Sequence, residues 1–404
     1  MLDVAIVGAG VAGIAAAESC VSNGLTYVVL EAASESGGRC ASRYLTDGTI
    51  LDLGAHWLHS PPDNPLMQLA TEHGVVFATR PLQEIRFNGS RMLSEQQVVD
   101  MDLCLESAFD AMSRDLHLSA DGYSNLAGSW QDAFRTVFEI KQGRPPAMVS
   151  GLDFSRYRWI EDDLPVRGGM QTLLAALSRG KDIRTNHKVS SIDCTSADHV
   201  QLSGEFGTLS ARRAVVTCST GVIASKQIKF TPRLPDEMEL AIETLPMGSC
   251  NKIFLGFKTS GWISGLKDLH ILPLGRNGES VEITAFEYGA PFVTGMIHGD
   301  FGKCLAAAGE VAMREYILDV LVSLLGSNVR HDFNGYQTCV DWDSNPLIRG
   351  YVAAAVPGYA NSRAVLRKVW LERVRIAGEA TSPHFMGDAH GAWLEGKKAV
   401  LDLV

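Results

Sequence analysis

The run "VAIVGAGVAGIAAAESCVSNGLTYVVLEAASESGGRCASR", Val4 to Arg43, constrains the fold more than any other part of the chain. Gly8, Gly10 and Gly13 give G-x-G-x-x-G spacing, a weak signal alone in a chain with 39 glycines. Its surroundings strengthen it. Residues 3–7, "DVAIV", are an apolar, β-branched run that reads as a buried strand. Residues 11–22 are rich in alanine and read as a helix; "YVVL" at 27–30 reads as a second buried strand ending at Glu31. Glu31 lies 18 positions after Gly13, close to the spacing of an acid that binds a ribose hydroxyl. Gly8 permits the turn, Gly10 lets a pyrophosphate approach the backbone, and Gly13 lets helix pack on strand. An acid at 31 repels a 2′-phosphate and disfavours NADP.

A chain of 404 residues is long enough for two domains. A net charge of −10 argues against a nucleic-acid surface; it reads first as a solvated acidic surface and only weakly as a preference for a cationic substrate. The eight cysteines are scattered without a C-x-x-C, as expected of buried free thiols in a reducing compartment and not of a zinc site or disulfide framework. No apolar run reaches membrane-spanning length, and the first strand starts at position 3, leaving no room for a signal peptide. The expectation is a soluble, cytoplasmic protein that binds neither nucleic acid nor membrane and holds no metal.

Further along, turns break residues 46–74, with a helix from Pro65 to His73. Residues 95–145 read as mostly helical, and "RGGMQTLLAALSRG" as a glycine-started helix. From Ile183 the period shortens to two, giving a β-meander that ends in a buried strand at Ala214–Thr217. "NKIFLGF" at 251–257 reads as a strand, 305–325 as one amphipathic helix, "RVRIAGEATS" as a strand and turn, and "GAWLEGKKAVLDLV" as a closing helix. A lysine inside the apolar strand 251–257 is costly without a partner or water. Alternation alone leaves open whether Lys252 faces a site or solvent.

Several of these segments together resemble the flavin-dependent amine oxidases. They are the front motif, "SGGRCAS", "LDLGAHWLHS", "VVTCSTGVI", "CNKIFLGF", "DWDSNPLIRGYVAAAVPGY" and "RVRIAGEATSPHFMGDAHGAWLEGKKAV", in the family's order. The resemblance implies a Rossmann-like FAD-binding domain, α/β, with an inserted α+β substrate domain of mixed sheet and helices. Residues 1–75, 180–235 and 350–404 would form the discontinuous FAD-binding domain, and 76–179 and 236–349 the substrate-binding domain. It implies FAD held by Gly8, Gly10, Gly13 and Glu31, by Gly38 and Arg39 near the pyrophosphate and flavin, by Val189 at the adenine, and by Gly378 and Glu379 near the ribitol–phosphate end. Trp342 packs by the flavin or in generic core.

The implied chemistry is hydride loss from the α-carbon of a neutral amine to the flavin, with oxygen then giving hydrogen peroxide. Lys252 matches the lysine that holds a water at flavin N5. His59 matches a histidine lining the substrate channel of polyamine oxidases, and as a loop cap it would be merely structural; His56 reads as structural. The positions of the two tyrosines of monoamine oxidases fall at Val352 and Asp388, and Tyr351 stands where a cysteine would bind flavin covalently, so non-covalent FAD is expected. Asp388 pairs with a cationic amine or is a plain turn aspartate; Tyr359 lines the pocket or is an ordinary loop residue. Ser219 or Thr220 replaces the family's turn proline. Alternatives on the same fold are a desaturase or porphyrinogen-type oxidase, or a non-catalytic flavoprotein binding module.

Overall fold

The computed structural model describes the chain except residues 60–63, 79–81, 116, 159–162, 260–265 and 276–277. The turn expected around Pro61 and Pro62 therefore lies outside the described residues. The β-branched run at the front forms the strand Leu2–Val7, fully enclosed from Val4 onward. It pairs in parallel with Tyr27–Leu30 on one side and Gly207–Val216 on the other. This is the centre of an eight-stranded sheet. In order it runs Lys229–Thr231, Val189–Asp193, Val200–Gly204, Gly207–Val216, Leu2–Val7, Tyr27–Leu30 and Ile183–Arg184, with Val374–Ile376 also paired to Gly207–Val216. The expected meander is the antiparallel part of this sheet. Helices Val11–Ser22 and Ala389–Leu403 pack together, joining the two ends of the chain.

A second sheet of seven strands runs Phe333–Val340, Cys250–Phe257, Phe292–His298, Val281–Ala285, Leu269–Leu274, Gln83–Asn88 and Arg91–Met92. One face is covered by the helix Glu310–Leu325, whose Met313, Ile317, Leu318, Val320 and Leu321 share a core with Ile253, Leu255, Ile283 and Ile297. The helix expected over 305–325 is two, Gly299–Ala307 and Glu310–Leu325, because the chain leaves the helical path at Gly309. Helix Met170–Ser178 packs with Val11 and Ile14 of the first helix, and helix Asp236–Glu243 packs on the eight-stranded sheet. Both therefore pack with the first sheet and its helices. No helix among the described residues is long and apolar enough to cross a membrane. All eight cysteines are free, but Cys304 is exposed and not buried as expected.

Candidate active site

The first parallel strands deliver their C-terminal ends to a recess of about 330 Å³, lined by Gly8, Gly10, Glu31, Gly38, Arg39, Val189 and Trp342. The helix starting at Val11 has Gly10 at its N-cap, no side-chain cap bond and no acid in its first turn. Its leading amides are thus left for an anion. Side chains are excluded here: a Cβ on Gly8, at φ +99°, would meet Thr217 Oγ1 at 2.7 Å, and one on Gly13 would lie 1.9 Å from the Gly8 carbonyl oxygen. Glu31 is fixed by backbone amides, Ala9 N–H donating to Oε2 at 2.6 Å and Ala33 N–H to Oε1 at 2.8 Å. Gly13 acts by packing and does not line the recess; Gly378, the residue before the turn Glu379–Thr381, lines neither of the two large cavities. These residues fit a dinucleotide: an uncapped helix start for its phosphates, an anchored carboxylate for a ribose, and Val189 at the far wall.

Arg39 and Trp342 also line a second cavity, walled on one side by Cys250, Lys252, Glu282 and Met296 of the seven-stranded sheet. Arg39 Nη1 donates to Glu379 Oε1 at 2.8 Å and to the Tyr351 carbonyl at 2.6 Å, so it ties the front of the chain to its end. Glu379, only 4% exposed, also accepts from the Ala353 and Gly387 amides. Its charge is therefore paired, which removes the repulsion that a bare carboxylate near a phosphate would suffer. Trp342 is buried, its indole N–H donating to the Leu53 carbonyl at 3.2 Å. Ser219, in place of proline, caps the short helix Thr220–Ala224 by accepting from Val222 N–H, and it donates to the Ile348 carbonyl.

Lys252 faces this cavity and is buried. Its Nζ lies 3.1 Å from the Asp52 carbonyl, 2.6 Å from the Gly54 carbonyl and 3.0 Å from His56 Nδ1. Burial lowers its pKa, against the pull of Cys250, Asp52, Glu287 and Glu282. His56, read as structural from sequence, is thus in contact with the lysine.

His59 stands between two carboxylates: Nδ1 is 2.5 Å from Asp163 Oδ1, and Nε2 is 3.4 Å from Asp388 Oδ1. Burial opposes the imidazolium, but Asp388 and Asp163 outweigh it and raise the pKa. Tyr157 donates its hydroxyl to the other oxygen of Asp388 at 2.7 Å. Val352 and Asp388 both line the cavity, so an aliphatic group and an acid stand where the resemblance would put two tyrosines. Tyr359 does not line it; it is 41% exposed on a turn after Pro357 and Gly358, which corrects the expectation that it lines the pocket.

Four lining or supporting groups escaped the sequence reading. Tyr157 and Asp163 belong to no recognisable pattern. Glu282 carried a signal: it is an acid inside the wholly buried strand Val281–Ala285, the same anomaly that marks Lys252. Its oxygens meet His270 Nε2 at 3.0 Å and His298 Nε2 at 3.1 Å. Burial opposes these charges, yet Cys250 and then Glu282 raise His298 to about 10, Glu282 and Glu84 raise His270 to about 9, and the two histidines hold Glu282 well below the usual carboxylate range. His56 had only its place in "GAHWLH".

Known proteins resemble this chain in sequence and share its fold. The sequence model described as flavin containing amine oxidoreductase matches residues 78–404, and that of an NAD(P)-binding Rossmann-like domain matches residues 6–72. Polyamine oxidase 2 of Arabidopsis thaliana is 26% identical, over 99% of this chain and 87% of its own length. Lysine-specific histone demethylase 1 homolog 2 of Oryza sativa subsp. japonica is also 26% identical, over 98% of this chain, which spans 56% of the demethylase homolog. In fold, cyclohexylamine oxidase from Brevibacterium oxydans IH-35A superposes with a TM-score of 0.83 at 21% identity, covering 100% of this chain and 98% of the other. Putrescine oxidase bound to putrescine does so with 0.82 at 19% identity, covering 99% and 98%. The chain belongs to the flavin-containing amine oxidoreductases.

Proposed function

We propose that this protein holds FAD non-covalently and oxidises the carbon–nitrogen bond of an amine, a polyamine above other classes, with oxygen as the final acceptor and hydrogen peroxide as product. One observation carries the reading. Arg39 and Trp342 line both cavities, so the recess that holds Glu31 and Val189 adjoins the cavity that holds Lys252 and Asp388. A dinucleotide ending in a redox ring matches two such adjoining spaces. The bound flavin supplies the two-electron acceptor for the hydride that leaves the carbon beside nitrogen.

The chain's own residues do the rest. The helix start at Gly10 and the anchored Glu31 hold the phosphates and a ribose. Asp388 and the His59–Asp163 pair meet the amine, and the two carboxylates favour a cation's entry. Phe154, Met296, Trp342 and Tyr351 line the cavity and exclude water around the reacting carbon. Non-covalent binding is supported by tyrosine at position 351. A cytoplasmic location is supported by the eight unpaired cysteines.

The purified protein is expected to be yellow, to release intact FAD on acid or heat denaturation, and to form peroxide when given spermine, spermidine or a diamine. Flavin that stays on the denatured chain overturns the non-covalent assignment. Reduction by amines without peroxide overturns oxygen as acceptor.

A further inference from the structure

Lys252 is surrounded by three partners of two kinds. The carbonyl oxygens of Asp52 and Gly54 can only accept hydrogen bonds; His56 Nδ1 can accept or donate. When the lysine is charged, its three N–H groups go to the two carbonyls and to Nδ1, and the neutral ring carries its proton on Nε2. When the lysine is neutral, its two N–H groups stay on the carbonyls and its lone pair accepts from Nδ1–H. Either way every atom at the junction is satisfied. A proton can therefore stand on either side of this 3.0 Å contact without leaving a buried group unpaired. In the charged form the ammonium has no hydrogen left for the cavity. His56 lines the cavity with Lys252 and Trp342, and its buried Nε2 has no protein partner among the described residues.

We infer that Lys252 and His56 share one proton, and that His56 Nε2, not the lysine ammonium, exchanges it with the substrate nitrogen. The inference rests on the amine-oxidase reading. An amine reaching the site as ammonium must lose a proton before its carbon can give up hydride. Nε2 takes that proton as an N–H bond of the substrate breaks. Nδ1–H then breaks and an Nζ–H bond forms, so the proton ends on Lys252. No electrons are transferred in this step, and reversal returns the proton.

Surrounding groups tune the pair. Burial pushes Lys252 down and His56 well below the usual imidazole value, and the Lys252 charge pushes His56 further. Cys250, Asp52, Glu287 and Glu282 pull the other way at the lysine, Glu282 does so at His56, and His270 adds to the downward push there. Behind the pair lies a recess of about 60 Å³ lined by Asp52, Thr284, Glu287 and Thr294. It is polar and large enough for water, which gives the proton a way back to solvent while substrate fills the front cavity.

The test uses the flavin-loaded protein with His56→Ala, His56→Gln, Lys252→Met and the double variant His56→Ala/Lys252→Met. Without substrate, nitrogen NMR of labelled histidines follows His56 against pH. Loss of the lysine is expected to shift the His56 titration upward by about one unit or more, as coupled sites require. A titration that does not respond to Lys252→Met overturns the shared proton. This readout stands even if no amine reduces the flavin, which would instead refute the function.

With an amine that does reduce it, rapid mixing without oxygen reads flavin reduction across pH. Each single variant is expected to lose about 100-fold and to move the pH limb, with the double variant no worse than the worse single. Losses that multiply in the double variant, or an unmoved limb in His56→Ala, overturn the proposal. His56→Gln can still accept from Lys252 but cannot pass a proton. Recovery of the parent rate in that variant would show a positioning role only and would also overturn it.

Discussion

Glu31 shows how one side chain at the first turn can serve two ends. Its oxygens fix the backbone at Ala9 and Ala33, and it lines the recess where a ribose would lie. Glu31→Ala is expected to weaken FAD binding by roughly ten- to a hundredfold, the worth of a charge-assisted bond of about 1.5–3 kcal/mol. Flavin fluorescence titration measures this; an unchanged affinity would mean that the front motif does not hold the ribose. At the other cavity, Asp388 and Asp163 keep His59 charged to higher pH than an ordinary imidazole. As pH rises through that value the site loses a positive charge and should bind a cation more tightly. His59→Ala is expected to lower kcat/KM for a polyamine by about tenfold or more and to abolish that fall of KM with pH. Persistence of the fall would assign it to the substrate's own nitrogen. Lys252 was legible because a charge inside an apolar strand demands a reason. His56 was not, because nothing in "GAHWLH" says which imidazole meets the lysine. Tyr157 and Asp388 lie 231 positions apart, and their hydrogen bond exists only in the folded chain.

The elements themselves were largely legible. Strands and helices with a strong period stand where the sequence put them, and the capping box at Ser94 starts a helix inside the stretch read as helical. Pairing between distant segments was not legible, because strand order depends on contacts that no local pattern records. The same limit hid the link among strands Val281–Ala285, Leu269–Leu274 and Phe292–His298, which the Glu282 carboxylate joins through His270 and His298. Both histidines have raised pKa values, so their contribution to stability is complete below about 6.5, the ordinary imidazole value, and is lost as pH rises through about 9 to 10. Glu282, held low, loses its contribution only in strong acid. Glu282→Gln is expected to cost about 3–5 kcal/mol near pH 6–7, as for one partner removed from a buried ion pair. The gap in Tm between parent and variant should narrow as pH approaches 10. Calorimetry across pH measures it, and a gap that stays constant would mean the histidines are neutral in the folded protein.

At the scale of the whole molecule, the two cavities are made by segments from the beginning, middle and end of the chain, clamped where Arg39 meets Glu379 and Tyr351. A ligand spanning them should bind the folded chain and not the unfolded one. FAD at about 100 times its Kd is therefore expected to add about 2.7 kcal/mol to stability. Arg39→Ala should remove much of the gain in Tm that FAD gives, while the apoprotein loses less; equal losses with and without FAD would make Arg39 a structural clamp alone. The substrate remains the least legible part, since Asp163 and Asp388, the acids that favour a cation, come from segments far apart in the chain. Anaerobic titration of the flavin's visible absorbance against monoamines, diamines, polyamines and amino acids tests the central claim most directly. The account predicts bleaching by amines, fastest with polyamines; an absorbance that no amine bleaches would contradict it.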